Sequence, residues 1–421
     1  MSAYDFLLQN KLLTLLISVV HIYILCIITR VWYKHRVSEV FSFLLFNFSV
    51  IFPSGFFFLF ILINPRNVDV FDLISCYLFE SLILLLYYCS FLRLRHYLRV
   101  VVINDRILVF CLLLLLVLNF PLLWSDGFGL FSSGSRISYL NESPLYKYIT
   151  YITYLMGCFL AALISASIST KRKISPIVIC ICAFIFVLTV LSGSKGAFFI
   201  WLFQLISLVD YSRVKFRISM LVFFGVFCFS LLSISVVVIS DFIGITYEQF
   251  ADLAFSRFFL VNDARALAFD LRGLLSNVEY SFVSESLRSL SSLFGTYPKL
   301  HPLGVHLYEN MFGDAADIGA NSSFIALAVY FSSPGATISN VLLIGWVPII
   351  IYYFSQVMQT IMQSPTIKIY IYSSLPPLLW IFSQDFLAFQ LLIPSVLFLF
   401  GLVCVYDFFH IFNKHSSLSV N

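Results

Sequence analysis

The stretch LSGSKGAFFI, residues 191 to 200, sets a lysine between glycines inside a long apolar run. A helix starting at Lys195 and running inward turns its first backbone N–H groups, and the positive end of its dipole, toward the outside. Gly193 and Gly196 let an anion come close to that backbone, so the turn has the makings of a phosphate or pyrophosphate site. The plainer alternative is a lysine that snorkels to the interface. A second group of cations follows at Arg257, Arg265, Arg272 and Arg288. Arg265 and Arg272 are seven residues apart and share one helical face, with Asp263 and Asp270 on the far side. Neither has an acid three or four residues away, so the face is open to an anion, to acids elsewhere in the fold, or to solvent and lipid headgroups. His301 and His306 suit general acid or base work or donation to a phosphate oxygen, and equally read as surface histidines without a task. Their spacing of five does not put two metal ligands on one helical face, and no metal is expected. Glu309, Asp314 and Asp317 are further, unranked bases.

The elements that must carry these residues are membrane helices. Of 421 residues 61% are apolar and 11% charged, and the mean hydropathy is +0.98, beyond the composition of soluble domains. Continuously apolar runs strongly favour helices over a barrel, whose strands alternate. The expected class is all-α and polytopic, with about 12 transmembrane helices, near 12–29, 40–63, 71–91, 106–124, 145–168, 176–192, 196–209, 218–240, 321–332, 336–356, 368–383 and 386–408. Residues 1 to 29 lack the cationic start and cleavage site of a removable signal, so they read as a retained anchor. Three regions follow: N-terminal spans over 1–240, a large external loop with an amphipathic helix over 241–320, and C-terminal spans over 321–421.

Lys and Arg crowd the connections at 30–36, 93–106, 171–173 and 213–217, which the positive-inside rule makes cytoplasmic. Lys195 and the 241–320 loop then face outward, toward the periplasm of a Gram-negative cell. That loop holds ten of the 21 acids. Its first half has helical periodicity, suiting a helix on the membrane surface or against the bundle. The net charge of +4 comes from membrane-flanking residues and does not argue for nucleic acid. The nine cysteines fall inside spans and form neither a disulfide framework nor a metal-ligand pattern.

Between Lys173 and Arg213 the chain must go out and back within 40 residues. Two helices of about 16 residues reach about 24 Å each, less than the hydrocarbon thickness, so the Lys195 turn is expected to be recessed in an outer cavity. A charge there is a functional candidate. Gly319, Asn321 and Ser322 are expected to cap the outer end of a second short helix. Glu80, midway along a span, either pairs with a cation in the bundle or is protonated. Asp385 reads as a helix cap, and His21 as a satisfied core residue.

Three segments together resemble the O-antigen polymerases (Wzy type), within the wider group of polytopic polymerases and ligases of lipid-linked glycans. GSKGAF resembles that group's Gly-Ser-Arg-Gly turn, NDARALAFDL its Asp/Gly-x-Arg segment early in the external loop, and GANSSFIALAVYFSSPG its return helix. This chain departs in having Lys195 for arginine, Ser332 for the closing glycine, and Ala320 where many ligases have histidine. The resemblance implies a GT-C-like helical fold and a glycosyltransferase that needs neither metal nor cofactor. It implies an undecaprenyl-diphosphate-linked oligosaccharide as both donor and acceptor, undecaprenyl diphosphate as leaving group, surrounding membrane lipid, and a chain-length regulator as partner. The leaving diphosphate gathers negative charge, which Lys195 and Arg265 would stabilise, with Arg257, Arg272 and Arg288 in support and Gly193, Gly196 and Asn321 lining the site. A ligase transferring finished glycan to a lipid A core shares the donor and cations. A flippase of lipid-linked sugar is the reading from another class, against which the long external loop counts.

Overall fold

A computed structural model describes residues 3–28, 68–101, 105–125, 144–171, 260–272, 281–288, 302–312 and 323–418, with isolated positions between 176 and 208. The expected spans at 40–63, 176–192, 196–209 and 218–240 lie outside or almost wholly outside these residues. Within the described residues every regular element is a helix: α1 (Ala3–Gln9), α2 (Lys11–Ile28), α3 (Val70–Leu98), α4 (Asp105–Ser125), α5 (Pro144–Lys171), α6 (Leu260–Asp270), α7 (Phe282–Ser286), α8 (Leu303–Phe312), α9 (Phe324–Tyr330), α10 (Thr337–Ile361), α11 (Pro365–Gln384) and α12 (Phe386–Leu418).

Four of these are long and apolar enough to cross a membrane: α3, α10, and the Tyr148–Ser167 and Ala388–Phe409 parts of α5 and α12. They are consistent with a membrane-embedded protein. α10 carries Leu342, Leu343, Trp346, Ile350, Tyr353, Val357 and Ile361 exposed, a stripe at steps of three and four that lipid accounts for and water does not. α5 is its opposite. Its stretch GCFLAALISAS is buried on every side, because Ala161, Ala162, Ser165 and Ala166 let neighbouring backbones approach.

The core of the bundle is α11, which packs on α3, α5, α10 and α12. Ser364 caps its start, with Pro365 in the first turn, where a missing N–H is harmless. α3 starts at Asp69, whose side chain accepts from Phe71 N at 2.7 Å. α3 and α10 run parallel: Asp72 near the start of α3 meets Thr337 at the start of α10, and further on Arg93 lies over the Tyr352 ring. Gly345 makes their approach possible, since a Cβ there would stand 2.6 Å from the Phe79 ring. α11 returns, with Tyr372 against Tyr97 near the far end of α3.

Of the two placements expected for the helix in the first half of 241–320, on the membrane surface or against the bundle, the structure has the second. α6 packs on α9, α1 and α8, and Ala264 to Ala268 are fully buried. The expected span at 321–332 is α9, seven residues long, about 10 Å, too short to cross hydrocarbon. Its cap is Ser323, whose Oγ accepts from Ala326 N at 3.2 Å; of the residues expected to cap it, Gly319, Asn321 and Ser322, none is among those described.

Candidate functional site

Two ion pairs tie α6 and α9 to α3. Glu80 takes a bond from Arg265 Nη2, which also donates to the Ser383 carbonyl at 2.9 Å, while Arg265 Nε donates to Ser323 Oγ at 3.2 Å. Arg265 is 0% exposed and Glu80 3%. The second pair joins Arg272 Nη1 to Asp72 Oδ2 at 2.6 Å. Arg272 also donates from Nε to the Val329 carbonyl at 3.2 Å and from Nη2 to Thr337 Oγ1 at 2.9 Å. Asp72 accepts from Gly335 N at 3.0 Å and Thr337 N at 3.1 Å. Gly335 is left-handed, φ 81°, which presents its N–H to the carboxylate without the Cβ clash another residue would meet.

The two rungs fit because the spacings match. Arg265 on α6 and Arg272 in the turn that follows it are about 10 Å apart, and Asp72 and Glu80 about 12 Å apart along α3. The pairing also fixes the direction of α9. Its first residues lie level with Glu80 inside the bundle and its last, through Val329, beside Asp72 at the start of α3. α9 therefore begins at depth and runs toward the end where α3 begins, the reverse of the outward-facing N-terminus expected from sequence. The acid-free spacing on α6 left the cations to acids elsewhere in the fold, and those acids are Asp72 and Glu80.

Both arginines and both acids spend their charge on one another and on backbone groups, which offsets the desolvation that isolated buried charges would suffer. The arrangement clamps four separate stretches of chain, at 72–80, 265–272, 323–337 and Ser383, and leaves Arg265 no exposed surface.

Arg288 Nε lies 2.5 Å from Glu285 Oε2, and the other carboxylate oxygen accepts from Leu303 N at 2.8 Å, fastening α7 to the start of α8. Burial pushes the Glu285 carboxyl up, opposed by the Arg288 guanidinium and the Leu303 N–H. His306 on α8 is half-buried; its Nδ1 stands 3.8 Å from Glu309 Oε2 and its Nε2 2.9 Å from Asn310 Nδ2. Lys195, Gly193, Gly196, Arg257, His301, Asn321, Asp314 and Asp317 lie outside the described residues. Asp385 caps α12 through Oδ1, which accepts from Ala388 N at 3.0 Å, and His21 Nε2 meets Tyr77 OH at 3.1 Å.

Sequence reasoning passed over Asp72, Ser323, Thr337 and Ser383. Asp72 left a usable signal: it precedes Glu80 by eight residues, close to the seven between the two arginines. Ser383 contributes a carbonyl, which no side-chain pattern reveals. Among the described residues no group of three His, Cys, Asp or Glu is placed to hold a metal. No protein-family model, curated protein or solved structure matches the chain.

Proposed function

We propose that this chain polymerises undecaprenyl-diphosphate-linked oligosaccharide repeats at the periplasmic face of a bacterial inner membrane, as a multi-pass enzyme of the O-antigen polymerase kind with about 12 spans and a GT-C-like fold. The observation that carries the reading is the meeting of two of the three motif segments. Arg265 of NDARALAFDL donates to Ser323 of GANSSFIALAVYFSSPG, 58 residues further along.

In this reaction a hydroxyl at the non-reducing end of the acceptor attacks the anomeric carbon of the donor glycan. The new glycosidic C–O bond forms as the bond to the diphosphate breaks, undecaprenyl diphosphate leaves, and a base takes the hydroxyl proton. Fixed cations stabilise the departing diphosphate more than the ground state, a task that falls to Lys195 with Arg257. Arg265 and Arg272, being held by Glu80 and Asp72, serve as positioning residues that fix the motif segments. His306, with Glu309 beside it, is a candidate base together with His301.

The experiment is a gel of lipopolysaccharide from a strain lacking the gene, with and without the wild-type copy restored. Core bearing a single repeat, lengthened again on restoration, is the expected result. Bare core would transfer the assignment to flipping or ligation, and unchanged long chains would reject a role in the pathway.

A further inference from the structure

α10, α11 and α12 enclose an apolar cavity of about 360 Å³ in the half of the bundle away from the two ion pairs. Its walls include Ile351, Phe354 and Met358 of α10, Leu375 of α11, and Ile393 and Phe400 of α12. Ser355, Tyr370 and Ser374 also line it, but their hydroxyls donate to the carbonyls of Tyr352, Val396 and Tyr370 at 2.7, 2.7 and 2.8 Å. With those groups spent inside the helices, the lining offers a ligand hydrocarbon contact and little else. The volume falls within the roughly 300–1,000 Å³ of small-molecule sites. Phe354 and Leu397, at 62% and 64% exposure, stand at its margin, so it opens sideways on the apolar face that α10 turns to lipid.

The length and charge of this groove point to its occupant. On α11 the lining positions Ile371, Ser374, Leu375 and Leu378 form a stripe at steps of three and four. One turn before Ile371 the same stripe carries Lys368, half-buried. From Lys368 to Leu378 is about 15 Å along the helix, half of the roughly 30 Å hydrocarbon thickness and so the depth of one leaflet. The contact of Tyr372 with Tyr97 sets Lys368 at the membrane face to which α3 brings Arg95 and Arg99. Asp407 of α12 lies two turns beyond Phe400, about 10 Å further along, past the end of the stripe.

We propose that this groove holds one acyl chain of a glycerophospholipid from the adjoining leaflet, with its phosphate against Lys368. An acyl chain matches the one-leaflet length, and the phosphate answers the half-buried Lys368 at the groove's end. The site is separate from the proposed chemistry and stands or falls without it.

Native mass spectrometry of the full-length protein in mild detergent, after incubation with dioleoyl phosphatidylglycerol, tests this. One lipid should stay bound at collision energies that strip the rest. Ser374→Phe, which fills the groove, should lose that lipid, and Lys368→Gln should weaken its retention about fivefold, the worth of one surface cation facing an anionic lipid. Lys368→Gln leaves the buried wall intact, so it decides the question even where Ser374→Phe impairs folding. No retained lipid in the wild type, or retention unaltered by Lys368→Gln, overturns the proposal. So does displacement of the lipid by equimolar undecaprenyl phosphate, which would assign the groove to a polyprenyl chain.

Discussion

Arg265 is the largest fully buried side chain in the molecule's described part, and its charge is tolerated because Glu80 and the Ser383 carbonyl receive its donors. Removing one member of such a pair strands the other. Arg265→Ala should therefore destabilise the protein by about 3–5 kcal/mol, seen as a lower unfolding temperature in detergent and reduced abundance in membranes. Pairing it with Glu80→Ala should recover much of that loss. If Arg265→Ala unfolds like the wild type, the clamp is not structural. Lys195→Ala is expected to behave differently, leaving abundance normal while long-chain product disappears on a lipopolysaccharide gel. Normal product from that variant would remove the proposed anion site. The two substitutions thus separate a cation held in the clamp from the one proposed to meet substrate.

At the scale of the element, the junction of α3 and α10 depends on one missing side chain. Gly345 faces Phe79, and that ring also packs, tilted, against Phe324 of α9, at 5.2 Å between centroids. Gly345→Leu should cost about 1–3 kcal/mol by overpacking, with the larger end favoured because the ring has neighbours behind it. Phe79→Ala on the same chain should return part of the stability, read as thermal unfolding of the two single variants and the double. Independent effects that merely add would show that the helices meet elsewhere. α9 resembles a span in sequence for a different reason. FIALAVY is apolar enough to cross but too short, and burial on every side supplies its stability where length does not.

At the scale of the molecule, the parallel course of α3 and α10 fixes which connections share a face. The turn at 331–336 lies with Asp69 and Asp72, whereas the turn between α10 and α11, at 362–364, lies with the Arg95–Arg99 end of α3. Single cysteines at 363 and 101 should be labelled from the same side of sealed vesicles, and one at 334 from the other. Labelling of 334 and 363 from one side would contradict the helix directions. The positive-inside rule predicts that the side shared by 101 and 363 is cytoplasmic, so labelling that pair from the inside would also place the proposed lipid in the inner leaflet.

The amino-acid sequence determined the helical class, because runs such as those around residues 70–98 and 386–409 are apolar without alternation and long enough for hydrocarbon, a property of local composition. It also located local caps such as Asp385, whose partner is three residues away, and marked Arg265, Arg272 and Glu80 as charges in need of an account. What the charges answer to was decided only by tertiary structure. Arg265 finds Glu80 across 185 residues and Arg272 finds Asp72 across 200; the matching spacings of the two acids and the two arginines hint at such rungs, but helical spacing does not say which helices meet. The direction of α9 was hidden for the same reason: a short helix buried on all sides has no polar face to report its orientation, so the ion pairs that flank it set its course.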